Sequence, residues 1–346
     1  MTSSTKFSLS FAEELIMIKP ASSPPLFPLI FSSSHPLANP LPSRYSAVTM
    51  DFLKPAKYFF LLSAILTVIS IVLVFVPGPR LSIEFTGGTR MELKLGNTEK
   101  VASDVVAAFK TFKGEELNPT VNKMQNGNFL VRIKGISDET HRALIKDLTT
   151  ALGPVNEVQY TTIGPTVGET LKWRAGQAIL AACLGIILYL AFSFRKIPRR
   201  YSPWKFGIIA VGTLVHDIMV TVGIFVIFSR YASFEVDTLF ITALLTILGY
   251  SVNDTIIVFD RIRDNLFLQE RNQTFAEVAN ASVNQVWKRS CYTSGSTLIM
   301  LASLFFLGSQ SIQWFVLTLI IGIVLGTYSS IFVATPLLVY WNKREK

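Results

Sequence analysis

Long apolar runs separated by short polar breaks dominate the chain and predict helices that cross a bilayer. About six runs reach the roughly 20 residues needed to span the hydrocarbon. They are Lys57–Val76, Trp173–Phe194, Phe206–Phe228, Thr238–Phe259, Arg289–Gly308 and Trp314–Trp341. The last is longer than one crossing needs, so it is expected to tilt or to extend into the cytoplasm.

Between the first two runs, over 77–172, the pattern changes to that of a small α/β domain. Arg90–Leu95 alternates as a strand. Thr98 can cap a helix through about Phe112 that sets Val101, Val105, Ala108 and Phe109 on one face. Thr120–Met124 and Phe129–Lys134 flank Asn126-Gly127, a strong hairpin signal. Ser137 caps a second helix with Asp138 and Glu139 in its first turn, and Gly153-Pro154 follows its end. Val155–Ile163 closes as a strand. The order β-α-β-β-α-β predicts a ferredoxin-like α+β domain, a fold that alone implies no function. His141 reads as a solvated surface histidine.

On the other side of the bundle, Phe275, Val278, Ala279, Val283 and Val286 recur near helical spacing within the polar segment 260–288. This predicts an interfacial helix lying along the membrane and leading into the fifth span. Residues 1–49 are rich in Ser and Pro and poor in acids, and they read as disordered. Three readings stand for them: a start codon called too early, a plastid-type targeting peptide, and a genuine tail. The first is favoured, because Met50–Lys57 is a natural basic lead into the first span.

Composition agrees with a polytopic membrane protein. Half of the residues, 50%, are hydrophobic and the mean hydropathy is +0.44. The net charge of +9 reports orientation rather than nucleic-acid binding. Arg195, Lys196, Arg199, Arg200 and Lys205 crowd one loop. Arg261, Arg263, Arg271 and Lys288 lie in another, and Lys343, Arg344 and Lys346 end the chain. The intervening loops carry almost nothing basic beyond Arg230. By the positive-inside rule both termini are cytoplasmic and 77–172 is extracytoplasmic. Cys183 and Cys291 fall in or beside spans and form neither a disulfide framework nor a metal site.

The candidate chemistry is ionisable and lies inside the spans. Asp254 sits near the cytoplasmic end of the fourth run, and such a carboxylate normally faces a bundle interior or wet cavity. Arg289 opens the fifth run at similar depth, so an Asp254–Arg289 pair is expected. It is either a structural ion pair or a protonation switch. His216-Asp217 lies near the middle of the third run, with His216 a possible relay. Asp260 and Arg261 are expected to be an interfacial anchor or local pair. Gly322 and Gly326 give a GxxxG spacing, followed by Ser329 and Ser330, and small residues admit a neighbouring helix closely. Ser294-Gly295-Ser296-Thr297 is a second small polar patch. Gly87-Gly88 marks a bend or a close backbone approach. No ATPase signature, cofactor motif, metal cluster or nucleophile–base–orienter set appears, which disfavours an enzyme with hydrolytic activity.

Several of these segments together resemble the SecF family. They are Phe85-Thr86-Gly87-Gly88-Thr89, His216-Asp217, Gly249 through Asn253-Asp254 to Arg263, and Asn284-Gln285 through Arg289 to Gly295. That family comprises the smaller membrane subunits of the Sec protein-export accessory complex and is related to the RND transporters. The resemblance runs from about Met50 to the C-terminus. It implies six transmembrane helices, about half of an RND-like transporter, with one extracytoplasmic domain. It also implies a SecD partner, docking on the SecYEG channel with YajC and YidC as further partners, and use of the proton-motive force to promote preprotein export. The family's transmembrane acid falls on Asp254, its arginine on Arg289 and its third-span pair on His216-Asp217, with Asn253 joining the proton pathway. Two positions depart from the family pattern: Glu84 replaces the usual Asp, and Ser290 the usual Thr. The expected location is a bacterial inner membrane, with the plastid thylakoid as the alternative. The competing functions are an RND-type exporter of lipids or small molecules, and an assembly scaffold. The small-residue faces and the surplus of carboxylates over bases predict a second subunit.

Overall fold

The structure, a computed structural model, describes residues 50–96, 100–110, 112, 117–124, 126–198, 201–232, 234–269 and 272–343. The readings of residues 1–49, of Thr98 and of Arg199, Arg200, Arg271, Arg344 and Lys346 lie outside the described residues.

Among the described residues six helices are long and apolar enough to cross a membrane. The first three spans are α1 (Ala56–Phe75), α5 (Pro165–Ser193) and α6 (Pro203–Tyr231). The fourth and fifth are α7 (Thr238–Phe267) and α8 (Phe275–Leu307). The sixth comprises α9 (Gln310–Ser329), a π turn over Ser330–Ala334, and α10 (Thr335–Lys343). In the π turn the Thr335 hydroxyl donates to the Ser330 carbonyl at 3.1 Å. Pro165 and Pro203 open their helices where a missing N–H costs nothing. Thr274 and Glu277 close a capping box at the start of α8.

Most spans outrun the apolar segments that announced them. The fifth differs most. The interfacial helix expected over 260–288 does not form as a separate element. Residues 260–267 continue α7, and Phe275–Lys288 is the first part of one uninterrupted helix that runs on through Leu307. Tertiary contacts explain the continuity. Asn265 Nδ2 donates to Ser282 Oγ at 2.8 Å, Arg261 Nε donates to Gln285, and Asn280 Oδ1 accepts the Phe52 amide at 2.9 Å. Val278, Ala279 and Val283 are buried in the same packing.

Glycines set the tightest helix contacts. A Cβ on Gly322 would overlap the Ile247 side chain, and one on Gly326 would lie 2.8 Å from Ser251 Cβ. The GxxxG face is therefore occupied by the fourth span of the same chain, not held open for a partner. Gly223 admits Ser70 of the first span in the same way.

The small domain is ferredoxin-like. After the short helix α2 (Ile83–Thr86) come β1 (Gly88–Leu95), α3 (Ala102–Lys110), β2 (Thr120–Lys123) and β3 (Phe129–Ile133). The helix α4 (Asp138–Leu152) and β4 (Val155–Ile163) follow. The sheet order is β2-β3-β1-β4, every pair antiparallel, as the split βαβ requires. Along β1, Met91, Leu93 and Leu95 point to the helices and join Phe109, Val131 and Leu148 in the core. Gly127 takes a φ of 81° in the β2–β3 hairpin, and Ser137 caps α4 by accepting from the Thr140 amide. Two expectations are corrected here. Val101 precedes α3 and is exposed, because the helix starts at Ala102. His141 is not a freely solvated histidine: its Nε2 lies 2.8 Å from Glu157 Oε1, and its ring stacks on Tyr160 at 3.8 Å.

Candidate proton-transfer site

Among the described residues two carboxylates are buried in the bundle, each held by hydroxyls from other helices. Asp254 on α7 is fully buried. Its Oδ2 accepts from Ser294 Oγ of α8 at 3.3 Å and from Thr327 Oγ1 of α9 at 3.1 Å. Those two hydroxyls lie 2.6 Å from one another. Asp254 Oδ1 is buried and has no hydrogen-bond partner among the described residues.

Asp217 on α6 is equally enclosed. Its Oδ2 accepts from Ser251 Oγ of α7 and Ser329 Oγ of α9, both at 2.7 Å. Its Oδ1 lies 2.9 Å from His216 Nδ1, while His216 Nε2 is buried and has no partner among the described residues. The helix α9 therefore supplies a hydroxyl to each acid, Thr327 to Asp254 and Ser329 to Asp217.

Arg289 does not pair with Asp254. It is exposed, and the sequence neighbour Ser290 is the buried residue. Helical phase is the reason: Ser290 and Ser294 are four residues apart and share a face, whereas Arg289 and Ser294 differ by about 140°. Asn253 is also exposed, one step of about 100° from the buried Asp254, and makes no contact with the acid. Asp260 pairs with Arg263 at 2.7 Å rather than with Arg261. Among the described residues His216 is the one basic side chain that touches either buried acid. Ser251, Ser294, Thr327 and Ser329 complete the site. Ser294 and Ser329 were noticed in the sequence for their small size, but their role as carboxylate partners was missed.

At the far end of α7 the glycine pair does structural work. Gly87 and Gly88 both take positive φ, 72° and 129°. A Cβ on Gly87 would sit 2.9 Å from Pro165 Cα, and one on Gly88 2.9 Å from the Ile133 carbonyl oxygen. The bend and close approach expected from the sequence are both present. Nearby, Arg132 of β3 pairs with Glu235 in the loop before α7. Burial, with Arg90 and Arg80 close by, pulls the Arg132 guanidinium down to about 10, so it stays charged at neutral pH. Asp237 caps α7 by accepting from the Phe240 amide at 2.8 Å. Burial pushes its carboxyl up from the ordinary value against that hydrogen bond, and the Glu84 charge adds to the rise.

Residues 144–344 match the family described as protein export membrane protein SecD/SecF, C-terminal, and residues 72–99 match the SecD/SecF GG motif. The chain belongs to the SecD/SecF family. It is 38% identical over 306 residues to the protein translocase subunit SecF of Thermobaculum terrenum, covering 86% of this chain and 95% of that one. It is 34% identical over 309 residues to SecF of Synechocystis sp., covering 85% and 95%. The crystal structure of SecDF, a translocon-associated membrane protein from Thermus thermophilus, superposes with a TM-score of 0.75 at 33% identity. That match covers 88% of this chain and 40% of the SecDF chain, so the present chain corresponds to less than half of that SecD/SecF polypeptide.

Proposed function

We propose that the chain is the SecF-type subunit of a protein translocase, and that Asp254 takes up and releases the proton that couples a transmembrane gradient to preprotein export. The observation that carries this reading is the Asp254 carboxylate, fully buried among neutral hydroxyls with one oxygen unpartnered. A buried charge is normally paired or coordinated, and an intramembrane acid without a cation is suited to changing its protonation state. Asp217 and His216 form a second acid–imidazole group, joined to the same helices by Ser251 and Ser329, and serve as a relay. Work is drawn from the gradient, with no hydrolytic step by this subunit.

The partner is SecD, whose half of the bundle completes the site. Asn253 and Arg289 support this, because both belong to the helices that carry the site yet point away from it. The first, second and fifth spans also leave most of their apolar windows uncovered, with 11%, 6% and 11% buried. The third, fourth and sixth are 44%, 44% and 56% buried. The SecD–SecF pair docks on SecYEG, with YajC and YidC as further partners, in a bacterial inner membrane. Both termini are cytoplasmic and the ferredoxin-like domain is outside. An ion-pair scaffold is disfavoured, since Asp254 and Arg289 do not meet.

Precursor export into inverted membrane vesicles tests the reading. Wild type and Asp254→Asn are compared with and without a proton gradient, and co-purification with SecD is checked in the same samples. The mutant is expected to assemble and to lose the gradient-dependent part of export. Export that remains gradient-stimulated in the mutant refutes the role of Asp254.

A further inference from the structure

The start of the fourth span is fastened to the glycine-motif segment and to the ferredoxin-like sheet by three separate sets of contacts. Val236 donates its amide to the Arg80 carbonyl at 2.8 Å and accepts from the Ser82 amide at 2.9 Å, a short parallel bridge of backbone. Glu84 reaches across to Thr238, the first residue of α7. Its Oε2 accepts from the Thr238 amide at 2.7 Å and from the Thr238 hydroxyl. Arg132 of β3 pairs with Glu235, with side-chain exposures of 17% and 13%. Helix starts leave amides without partners, and here a residue distant in sequence supplies one acceptor while Asp237 supplies another.

The segment carrying Glu84 has little freedom of its own. Gly87 lies against Pro165, Gly88 against Ile133, and a Cβ on Gly168 would be 2.9 Å from the Gly87 amide nitrogen. Phe85 is buried with Phe240 and Leu244 of α7 in one apolar cluster. α7 itself runs without proline from Thr238 to Phe267. The 16 residues from Thr238 to Asp254 span roughly 24 Å of helix. The same helix carries Ser251, which donates to Asp217.

We infer that Glu84 is a positioning residue, the clamp through which the ferredoxin-like domain and the fourth span move as one body, so that a change in charge at Asp254 is transmitted to the domain. A helix shift of an ångström or two at a packed interface is a recognised form of such transmission. The clamp is formed by residues of this chain without a contribution from a partner. Its consequence for export rests on the proton role proposed for Asp254.

The test measures domain position by double electron–electron resonance in the full chain co-assembled with SecD. Spin labels are placed at Glu139→Cys, exposed on α4, and Leu307→Cys, exposed at the end of α8, after Cys183→Ser and Cys291→Ser. Asp254→Asn is expected to shift the distance distribution in the otherwise native chain. Glu84→Ala is expected to reduce that shift markedly, and Thr238→Val, which removes one of the two donors to Glu84, to reduce it less. A shift of unchanged size in Glu84→Ala overturns the inference, as does an unchanged shift in Thr238→Val should the alanine variant fail to assemble. No shift at all on Asp254→Asn also overturns it. If that same variant still abolishes gradient-dependent export, the clamp fails while the proton role stands.

Discussion

Replacing Gly326 with Ala places a methyl group where the fourth and sixth spans touch. The new Cβ would lie 2.8 Å from Ser251 Cβ, 2.9 Å from Ser251 Oγ and 3.1 Å from Ser251 Cα. Carbon atoms in contact prefer about 3.5–4.0 Å, so the helices must part by roughly 0.7–1.2 Å. Overpacking of this kind costs about 1–3 kcal/mol. The displaced Ser251 is also the donor to Asp217 at 2.7 Å. Losing an ordinary hydrogen bond costs about 0.5–1.5 kcal/mol. One displacement produces both losses, so they overlap, and the expected destabilisation is about 1–4 kcal/mol. The assay is thermal unfolding of the purified SecD-bound protein, followed by tryptophan fluorescence. Gly249→Ala is the comparator, because Gly249 is on the same fourth helix as Ser251 and its Cβ would meet nothing within 4 Å. That change is expected to gain up to about 1 kcal/mol from helix propensity. Ser251→Gly in the Gly326→Ala background removes the two closest contacts, those with Cβ and Oγ, and is expected to recover part of the loss. Equal stability of Gly326→Ala and Gly249→Ala would show that the two spans do not meet at Ser251.

Three further outcomes follow from the contacts at the start of α7 and in the domain. Arg132→Ala strands Glu235 in a mostly buried site and is expected to cost about 3 kcal/mol in chemical denaturation, while Arg132→Met with Glu235→Leu recovers most of it. Asp237 has a folded pKa above its ordinary value, so the folded protein holds more protons than the unfolded one between the two. Stability should therefore rise as pH falls from neutral toward the ordinary carboxylate range. Asp237→Asn should flatten that part of a stability-versus-pH series, and an unaltered slope would reject the assignment. His141→Ala removes both the Glu157 contact and the Tyr160 stack, and is expected to cost about 1 kcal/mol in thermal unfolding without affecting assembly with SecD.

Features set by neighbours in sequence were readable before any coordinates. Asn126-Gly127, Ser137 and Gly153 each impose local backbone chemistry, and the hairpin and the ends of α4 fall where they indicate. The central strands β1 and β3 alternate in burial because one face of the sheet meets two helices. The spans were visible as apolar runs, but their ends were not, since tertiary hydrogen bonds at Ser282 and Gln285 carry helix through polar sequence. The partners of Asp254 were obscured by attention to charge. Arg289 was the cation at similar depth on the next span, yet the four-residue spacing of Ser290 and Ser294 already indicated which face turns inward. Thr327 and Ser329 lay beside the GxxxG stripe, where small size gave reason enough for their presence. Glu84–Thr238 and Arg132–Glu235 join residues too far apart for any local pattern to reveal.

The π turn at Ser330–Ala334 bears on how the length of the sixth span can vary. An i→i+5 turn accommodates one residue more than an α turn. Upstream of it, Gly322, Gly326 and Ser329 must keep their register with α7 and Asp217. Downstream, Leu338 is fully buried in the cluster that also contains Phe206 and Val283. A deletion of one residue within 330–334 converts the π turn to α and leaves both halves facing as they do. The same deletion between Gly322 and Ser329 rotates everything beyond it by about 100°. Length variation in this helix is thus confined to one turn, and loss of a codon there is tolerated where loss a few codons upstream is not.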